Sequence, residues 1–195
     1  MVSLPRCDLY GTHPYGPPLS ILVVDDTPAD IGSLLATLSE AGYRVRAAPD
    51  GDSALDQSRV TPPDLILLDT QMPGTNGFEF CRRLRQLPKL AATPVIFMTA
   101  LAEPENRVSA FAAGGDDYVT RPFQYQEVLA RVRLHLTRRA LECELERSYR
   151  EFEKRVTART LELRTAVAEG EALRNLLQQE NHALKEQLSR SDRAR

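Results

Sequence analysis

The sequence predicts an α/β chain in which five βα units build a doubly wound parallel sheet, followed by a long C-terminal α-helical coiled coil. Three observations predict it. From Leu19 to His135, short apolar runs alternate with longer amphipathic stretches. Turn-forming residues stop early: all 13 prolines lie at or before Pro122, and of the 10 glycines only Gly170 lies beyond Gly115. From Leu145 onward, apolar residues recur at spacings of four and three, as in a coiled-coil seam.

A chain of 195 residues has room for one ordinary domain of ~100–150 residues and an extended segment. The expected division is a flexible leader over 1–18, a compact domain over 19–136, a coiled-coil dimerisation helix over 137–188, and a frayed polar tail over 189–195. The leader carries Pro5, Pro14, Pro17, Pro18, Gly11 and Gly16 and lacks the apolar centre of a signal peptide, with Tyr10, His13 and Tyr15 available for docking.

Within the domain, the runs Ile21 to Val24, Tyr43 to Ala47, Leu65 to Leu68, Val95 to Met98 and Asp117 to Val119 read as strands. Continuous apolar runs suit strands buried on both faces. The helical stretches between them are Pro28 to Ala41, Gly51 to Val60, Gly77 to Leu87, Glu105 to Ala113 and Gln124 to Leu136. The first shows Ile31, Leu34, Leu35 and Leu38 on one stripe and ends at Ala41-Gly42, where glycine accepts the left-handed terminus.

Asp25 and Asp26 follow the first apolar run, and Asp69 follows the third. Functional groups of open α/β sheets gather beyond the carboxyl ends of the strands, so the three predict one acidic pocket. Crowded carboxylates resist ionising together unless a hard cation neutralises them. Mg²⁺ fits, because it prefers oxygen ligands and leaves room for a substrate phosphate. Helix capping ahead of Thr27-Pro28 is the plainer role for Asp25 or Asp26, and it does not account for all three acids.

Further fragments extend the pattern: Val24-Asp25-Asp26, Leu67-Leu68-Asp69-Thr70-Gln71-Met72-Pro73-Gly74-Thr75-Asn76-Gly77, Phe97-Met98-Thr99-Ala100, and Asp116-Asp117-Tyr118-Val119-Thr120-Arg121-Pro122-Phe123. In this order and spacing, residues 19–136 resemble the receiver domain of bacterial two-component response regulators. The resemblance implies a flavodoxin-like (βα)5 fold and a phosphorelay function, with Asp69 accepting a phosphoryl group from a cognate sensor histidine kinase or phosphotransfer protein. It implies Mg²⁺ bound by the carboxylates of Asp26 and Asp69, by Asp25 directly or through a water, and by the backbone carbonyl of Gln71. It also implies that Thr99 hydrogen-bonds the phosphoryl group and that Thr99 moves with Tyr118 as a switch. The chain departs from the family at Arg121, where lysine is usual; a guanidinium keeps the charge but is larger and planar. The X-Pro bond that follows is often cis in the family.

Beyond Pro122 no proline interrupts the helix. Leu145, Tyr149, Phe152, Val156, Leu163, Ala166, Leu173 and Leu177 share one heptad frame, in which Arg159 and Gly170 are weak members. A shift at Leu177 opens a second frame through Asn181, Leu184 and Leu188. The expected assembly is a parallel homodimer, with a helix folded back on the domain as the rival arrangement. The segment Arg155 to Leu163 resembles signalling-helix linkers that join receivers to output domains. No output domain follows in the sequence, so either the coiled coil is itself the output or the chain is part of a longer regulator.

Composition narrows the function further. Residues 1–134 carry 12 Lys and Arg against 16 Asp and Glu, and residues 135–195 carry 13 against 11, so neither half is a basic arm. Direct nucleic-acid binding is not expected. Cys7, Cys81 and Cys143 form no metal or disulfide pattern, and no stretch approaches a membrane span, so a cytoplasmic protein is expected. Two rivals compete with the signalling module. A Mg²⁺-dependent phosphatase or hydrolase would need a general acid or base near Asp69, for which His13, His135 and His182 are poorly placed. A phosphorylation-independent receiver-like scaffold is opposed by the intact acids and mildly favoured by Arg121. No enzymatic activity is expected beyond self-catalysed phosphotransfer and autodephosphorylation.

Overall fold

The computed structural model describes residues 18–72, 76–99 and 104–193, with backbone alone at 28–30, 104–107, 183–184 and 186–193. The readings made for Tyr10, His13, Tyr15, Pro73, Gly74, Thr75 and Ala100 lie outside the described residues, as do those for the side chains of Leu184 and Leu188. The elements alternate as β1 (Ser20–Val24), α1 (Pro28–Glu40), β2 (Arg44–Ala48), α2 (Gly51–Val60), β3 (Leu65–Asp69), α3 (Gly77–Arg85), β4 (Val95–Thr99), α4 (Pro104–Ala112), β5 (Asp117–Thr120) and α5 (Tyr125–Arg193).

The strands pair in parallel in the order β2-β1-β3-β4-β5. The chain therefore winds outward in one direction from β1 to β2 and in the other from β3 to β5. The switch point falls between β1 and β3, where ligands of doubly wound sheets bind.

Side-chain alternation divides the core in two. Leu22, Val24, Ile66, Leu68, Val95 and Phe97 face Leu55 of α2 and Phe80, Cys81 and Leu84 of α3. Their neighbours Ile21, Val23, Leu65, Leu67, Ile96 and Met98 face Ile31, Leu34 and Leu38 of α1 and Val128, Val132 and Leu136 of α5. This explains the unbroken apolar runs: a strand covered on both faces has no polar side.

Helix ends follow local chemistry. Gly42 takes a φ of 91° just past α1, as the Ala41-Gly42 pair predicts. Asp50 caps α2 by accepting from the Ser53 N–H at 2.8 Å, and that hydrogen bond, with the Ser53 hydroxyl, holds its carboxyl below the usual aspartate value. Asn76 caps α3 by accepting from the Phe78 N–H at 2.9 Å.

Several boundaries differ from expectation. Strands β3 and β4 each extend one residue past their apolar runs, so that Asp69 and Thr99 close them, because ladder pairing continues to Asp69↔Met98 and Thr99↔Thr120. Helix α3 ends at Arg85, ahead of Leu87. The chain divides into two compact units, one running to Leu145 and a second covering Glu146–Arg195. The buried line of α5 continues past Leu136 to Cys143, which is 1% exposed.

In the second unit α5 remains helical through Arg193, past Ser189. Tyr149, Phe152, Val156, Leu163, Leu173 and Leu177 of the predicted seam are exposed there. Pairs such as Arg150–Glu146 at 3.4 Å and Arg159–Glu162 at 2.8 Å run along the helix. Exposed pairs of this kind add only tenths of a kcal/mol each, roughly 0.2–0.5, so they do not replace burial of the stripe. The Asn181 side chain donates to the Leu177 carbonyl at 3.1 Å. No helix among the described residues is long and apolar enough to cross a membrane.

Candidate functional site

The register of β1 on β3 builds the site. Val24 pairs with Leu68, so the next residues, Asp25 and Asp69, emerge side by side at the switch point. Asp26 follows on the more exposed side. One carboxylate oxygen from each of Asp25, Asp26 and Asp69 lies within 4.8 Å of the others.

Each acid is fixed by local hydrogen bonds. Asp25 Oδ1 accepts from the Thr27 N–H at 2.8 Å and Asp26 Oδ1 from the Thr27 hydroxyl at 3.2 Å. Thr27 itself is the N-cap of α1 and makes no side-chain capping bond, so neither aspartate serves as the helix cap. Asp69 Oδ1 accepts from the Gln71 N–H at 3.2 Å, which places Gln71 directly over the end of β3.

Arg121 supplies the countercharge. The β5 ladder ends at Thr99↔Thr120, and the Arg121 N–H donates to the Thr99 carbonyl at 2.7 Å. Its guanidinium pairs closely with Asp25, whose side chain is fully buried, and lies 3.8 Å from Asp69 Oδ2. The Phe123 ring flanks it at 5.7 Å. The Arg121-Pro122 peptide is cis.

Burial pushes the Asp69 carboxyl above its ordinary value, opposed by the Gln71 N–H and the Arg121 guanidinium and reinforced by repulsion from Asp25. Three carboxylates against one guanidinium leave two negative charges in the pocket. An oxygen-only donor set with that residual charge fits a hard divalent cation such as Mg²⁺.

Thr99 is buried at the end of β4 and accepts a hydrogen bond from the Thr70 hydroxyl at 3.2 Å. Tyr118 is half-buried on β5, with its ring edge-on to Phe111 of α4 at 6.1 Å. The structure thus brings Asp25, Asp26, Asp69, Gln71, Thr99 and Arg121 to one end of the sheet, while Tyr118 stands back from it along β5.

Sequence reasoning assigned no role to Thr70 or Gly77. Thr70 holds the Thr99 hydroxyl. Gly77 lets α3 approach the site: a Cβ there would lie 2.2 Å from the Asp69 carbonyl oxygen. The available signal was a glycine in the first helical position after the Asn76 cap, where helix geometry alone does not require one.

Comparison with known proteins agrees with this geometry. The family described as the response regulator receiver domain matches residues 21–133. Over 118 residues, 60% of this chain, it is 42% identical to the DNA-binding dual master transcriptional regulator RpaA of Synechocystis, covering 49% of that protein. It is 44% identical to the transcriptional regulatory protein ResD of Bacillus subtilis over 118 residues, 60% of this chain and 48% of that protein. The chain therefore spans about half the length of these curated relatives. Among solved structures, the chemotaxis response regulator CheY4 of Vibrio cholerae superposes with a TM-score of 0.58 at 30% identity, covering 60% of this chain and 98% of that one. A CheY-like receiver domain protein from Methanospirillum hungatei JF-1 superposes with a TM-score of 0.61 at 27% identity, covering 64% of this chain and 98% of that one.

Proposed function

This chain belongs to the response regulator receiver domain family, and on that premise we propose that it accepts a phosphoryl group on Asp69 and passes the change to a dimeric C-terminal coiled coil. The observation that carries the reading is the convergence of Asp25, Asp26 and Asp69 at the switch point, with Arg121 against them. The donor is a cognate sensor histidine kinase or phosphotransfer protein.

In the transfer, a carboxylate oxygen of Asp69 forms a bond to phosphorus while the bond from phosphorus to the donor's histidine nitrogen breaks; the imidazole then takes its proton from solvent. Asp25, Asp26, Asp69 and the Gln71 carbonyl would hold Mg²⁺. When bound, the ion neutralises charge on the phosphoryl oxygens and the carboxylates. The Gln71 N–H orients Asp69 by holding Oδ1, leaving Oδ2 for attack. Arg121, already 3.8 Å from Oδ2, offers a guanidinium to a phosphoryl oxygen. Thr99 exchanges its partner Thr70 for a second phosphoryl oxygen. That exchange draws the end of β4 inward and alters the space beside Tyr118, which is the proposed switch.

The seam beyond Leu145 supports a parallel homodimer, since a lone helix leaves its apolar stripe without tertiary stabilisation. Direct nucleic-acid contact is not part of the proposal, because the match to the DNA-binding relative is confined to 118 residues.

The test is intact mass after incubation with acetyl phosphate, with and without Mg²⁺, for the wild-type chain and Asp69→Ala. The expected result is a Mg²⁺-dependent gain of one phosphoryl mass that Asp69→Ala lacks. No gain in the wild type would overturn the phosphoacceptor reading and favour a receiver-shaped scaffold.

A further inference from the structure

Strands β3 and β4 are apolar until their ends. Ile66 to Leu68 and Val95 to Met98 are fully buried, and the ladder between the strands runs in register to Asp69↔Met98. One step further sets Thr70 opposite Thr99. Side chains directly opposite on neighbouring strands share a face, and here the Thr70 hydroxyl donates to the Thr99 hydroxyl at 3.2 Å. Both residues are buried, each 5% exposed. A buried hydroxyl costs free energy unless it is hydrogen-bonded, so each of the two holds the other in place. Valine would fill the same shape and suit a strand end equally well, so packing alone does not ask for a hydroxyl at position 70.

Thr70 is the less movable member of the pair. Its N–H donates to the Met98 carbonyl at 3.3 Å, and its carbonyl accepts from the Gly77 N–H at 3.3 Å. Helix α3 begins close against it: a Cβ on Gly77 would stand 3.1 Å from the Thr70 Cα. The side chain is β-branched and therefore restricted about its first torsion. When the Thr99 hydroxyl turns to a phosphoryl oxygen on Asp69, Thr70 stays behind, and its hydroxyl loses the acceptor it has in the unmodified protein. That loss opposes the switch.

We infer that the Thr70 hydroxyl is a latch on the receiver's switch: it holds Thr99 in the unmodified position and so weakens the binding of a phosphoryl group at Asp69. This rests on the phosphoacceptor reading above. It adds a positioning residue next to the acceptor, one that acts through Thr99 and not on phosphorus. The direction of the effect sets it apart from ordinary structural support, because removing this buried hydrogen bond favours the modified state.

Isothermal titration calorimetry of the full chain with beryllofluoride, which attaches to a carboxylate oxygen in the shape of a phosphoryl group, tests this in saturating Mg²⁺. Thr70→Val removes the hydroxyl and keeps the shape, whereas Thr70→Ser keeps the hydroxyl. Losing one ordinary buried hydrogen bond from the unmodified state predicts that Thr70→Val tightens beryllofluoride binding about five-fold, while Thr70→Ser binds as the wild type does. In Thr99→Ala the latch has nothing to hold, so adding Thr70→Val to that variant should change its affinity by less than about two-fold. Equal or weaker binding by Thr70→Val overturns the inference and leaves the phosphoacceptor reading standing, as does a gain that persists without the Thr99 hydroxyl. A merely structural Thr70 would instead lower stability to urea and weaken binding together. If Thr70→Val does not fold, Thr70→Ala carries the same expectations. If the wild type binds beryllofluoride no better than Asp69→Ala does, both readings fall.

Discussion

Removing Arg121 tests the electrostatics of the acidic pocket most directly. In Arg121→Ala the fully buried Asp25 side chain loses its guanidinium, and Asp69 loses a cation 3.8 Å from Oδ2. Leaving a buried charge without its partner typically costs ~3–5 kcal/mol. Because the Arg121 side chain is 21% exposed and partly screened, we expect the low end, about 3 kcal/mol. Arg121→Lys keeps the charge and should lose about 1 kcal/mol, the difference between a fork and a point donor. Native-state hydrogen exchange of the β1 and β3 amides reads the stability of the receiver separately from the long helix. The series is run in chelator and again in saturating Mg²⁺, which should recover most of the loss by compensating the same carboxylates. A loss smaller than about 0.5 kcal/mol in chelator, the range of ordinary surface substitutions, would refute the role of Arg121 as countercharge. A loss that Mg²⁺ leaves unchanged would refute the shared pocket.

Gly77→Ala places a methyl group against the Asp69 carbonyl, so the turn into α3 must move; we expect a loss of ~1–3 kcal/mol and slower modification by acetyl phosphate, read by denaturation and intact mass. At Asp117, burial raises the carboxyl but hydrogen bonds from His135 and Arg131 outweigh it, so the folded value lies below the ordinary 3.8. A depressed folded value means that this stabilisation is complete above 3.8 and is lost as the pH falls through the lower folded value. The stability difference between wild type and Asp117→Asn should therefore shrink in acid, as followed by urea melts across pH; a constant difference would contradict the linkage. Burial pushes the Cys81 thiol up to about 11, so iodoacetamide at neutral pH should leave it unmodified in the folded chain and alkylate it after denaturation, as peptide mapping would report.

The five strands, the helices between them and the acidic positions were legible because each rests on local pattern. An apolar run covered on both faces reads as a buried strand wherever it sits, and Asp25 and Asp69 stand where such runs end. The α1 stripe at Ile31, Leu34 and Leu38 and the Gly42 terminus were legible for the same reason. The long helix followed from the absence of proline beyond Pro122.

Other features depended on distance in space. Arg121 pairs with Asp25 across 96 positions of sequence, because β1 and β5 run parallel and so finish at the same end of the sheet. The role of Gly77 appears only where α3 meets the Asp69 carbonyl, and that of Thr70 only beside Thr99. The second apolar face of α5 emerged once the sheet had claimed Val128, Val132 and Leu136 and left Leu134 and Leu141 outside. Sequence alone determined which residues are apolar, where strands end and where carboxylates accumulate, because periodicity and chain breakers act over a few residues. The tertiary structure decided which charge meets which and which helix face stays bare, because those choices are set by register and packing between segments distant along the chain.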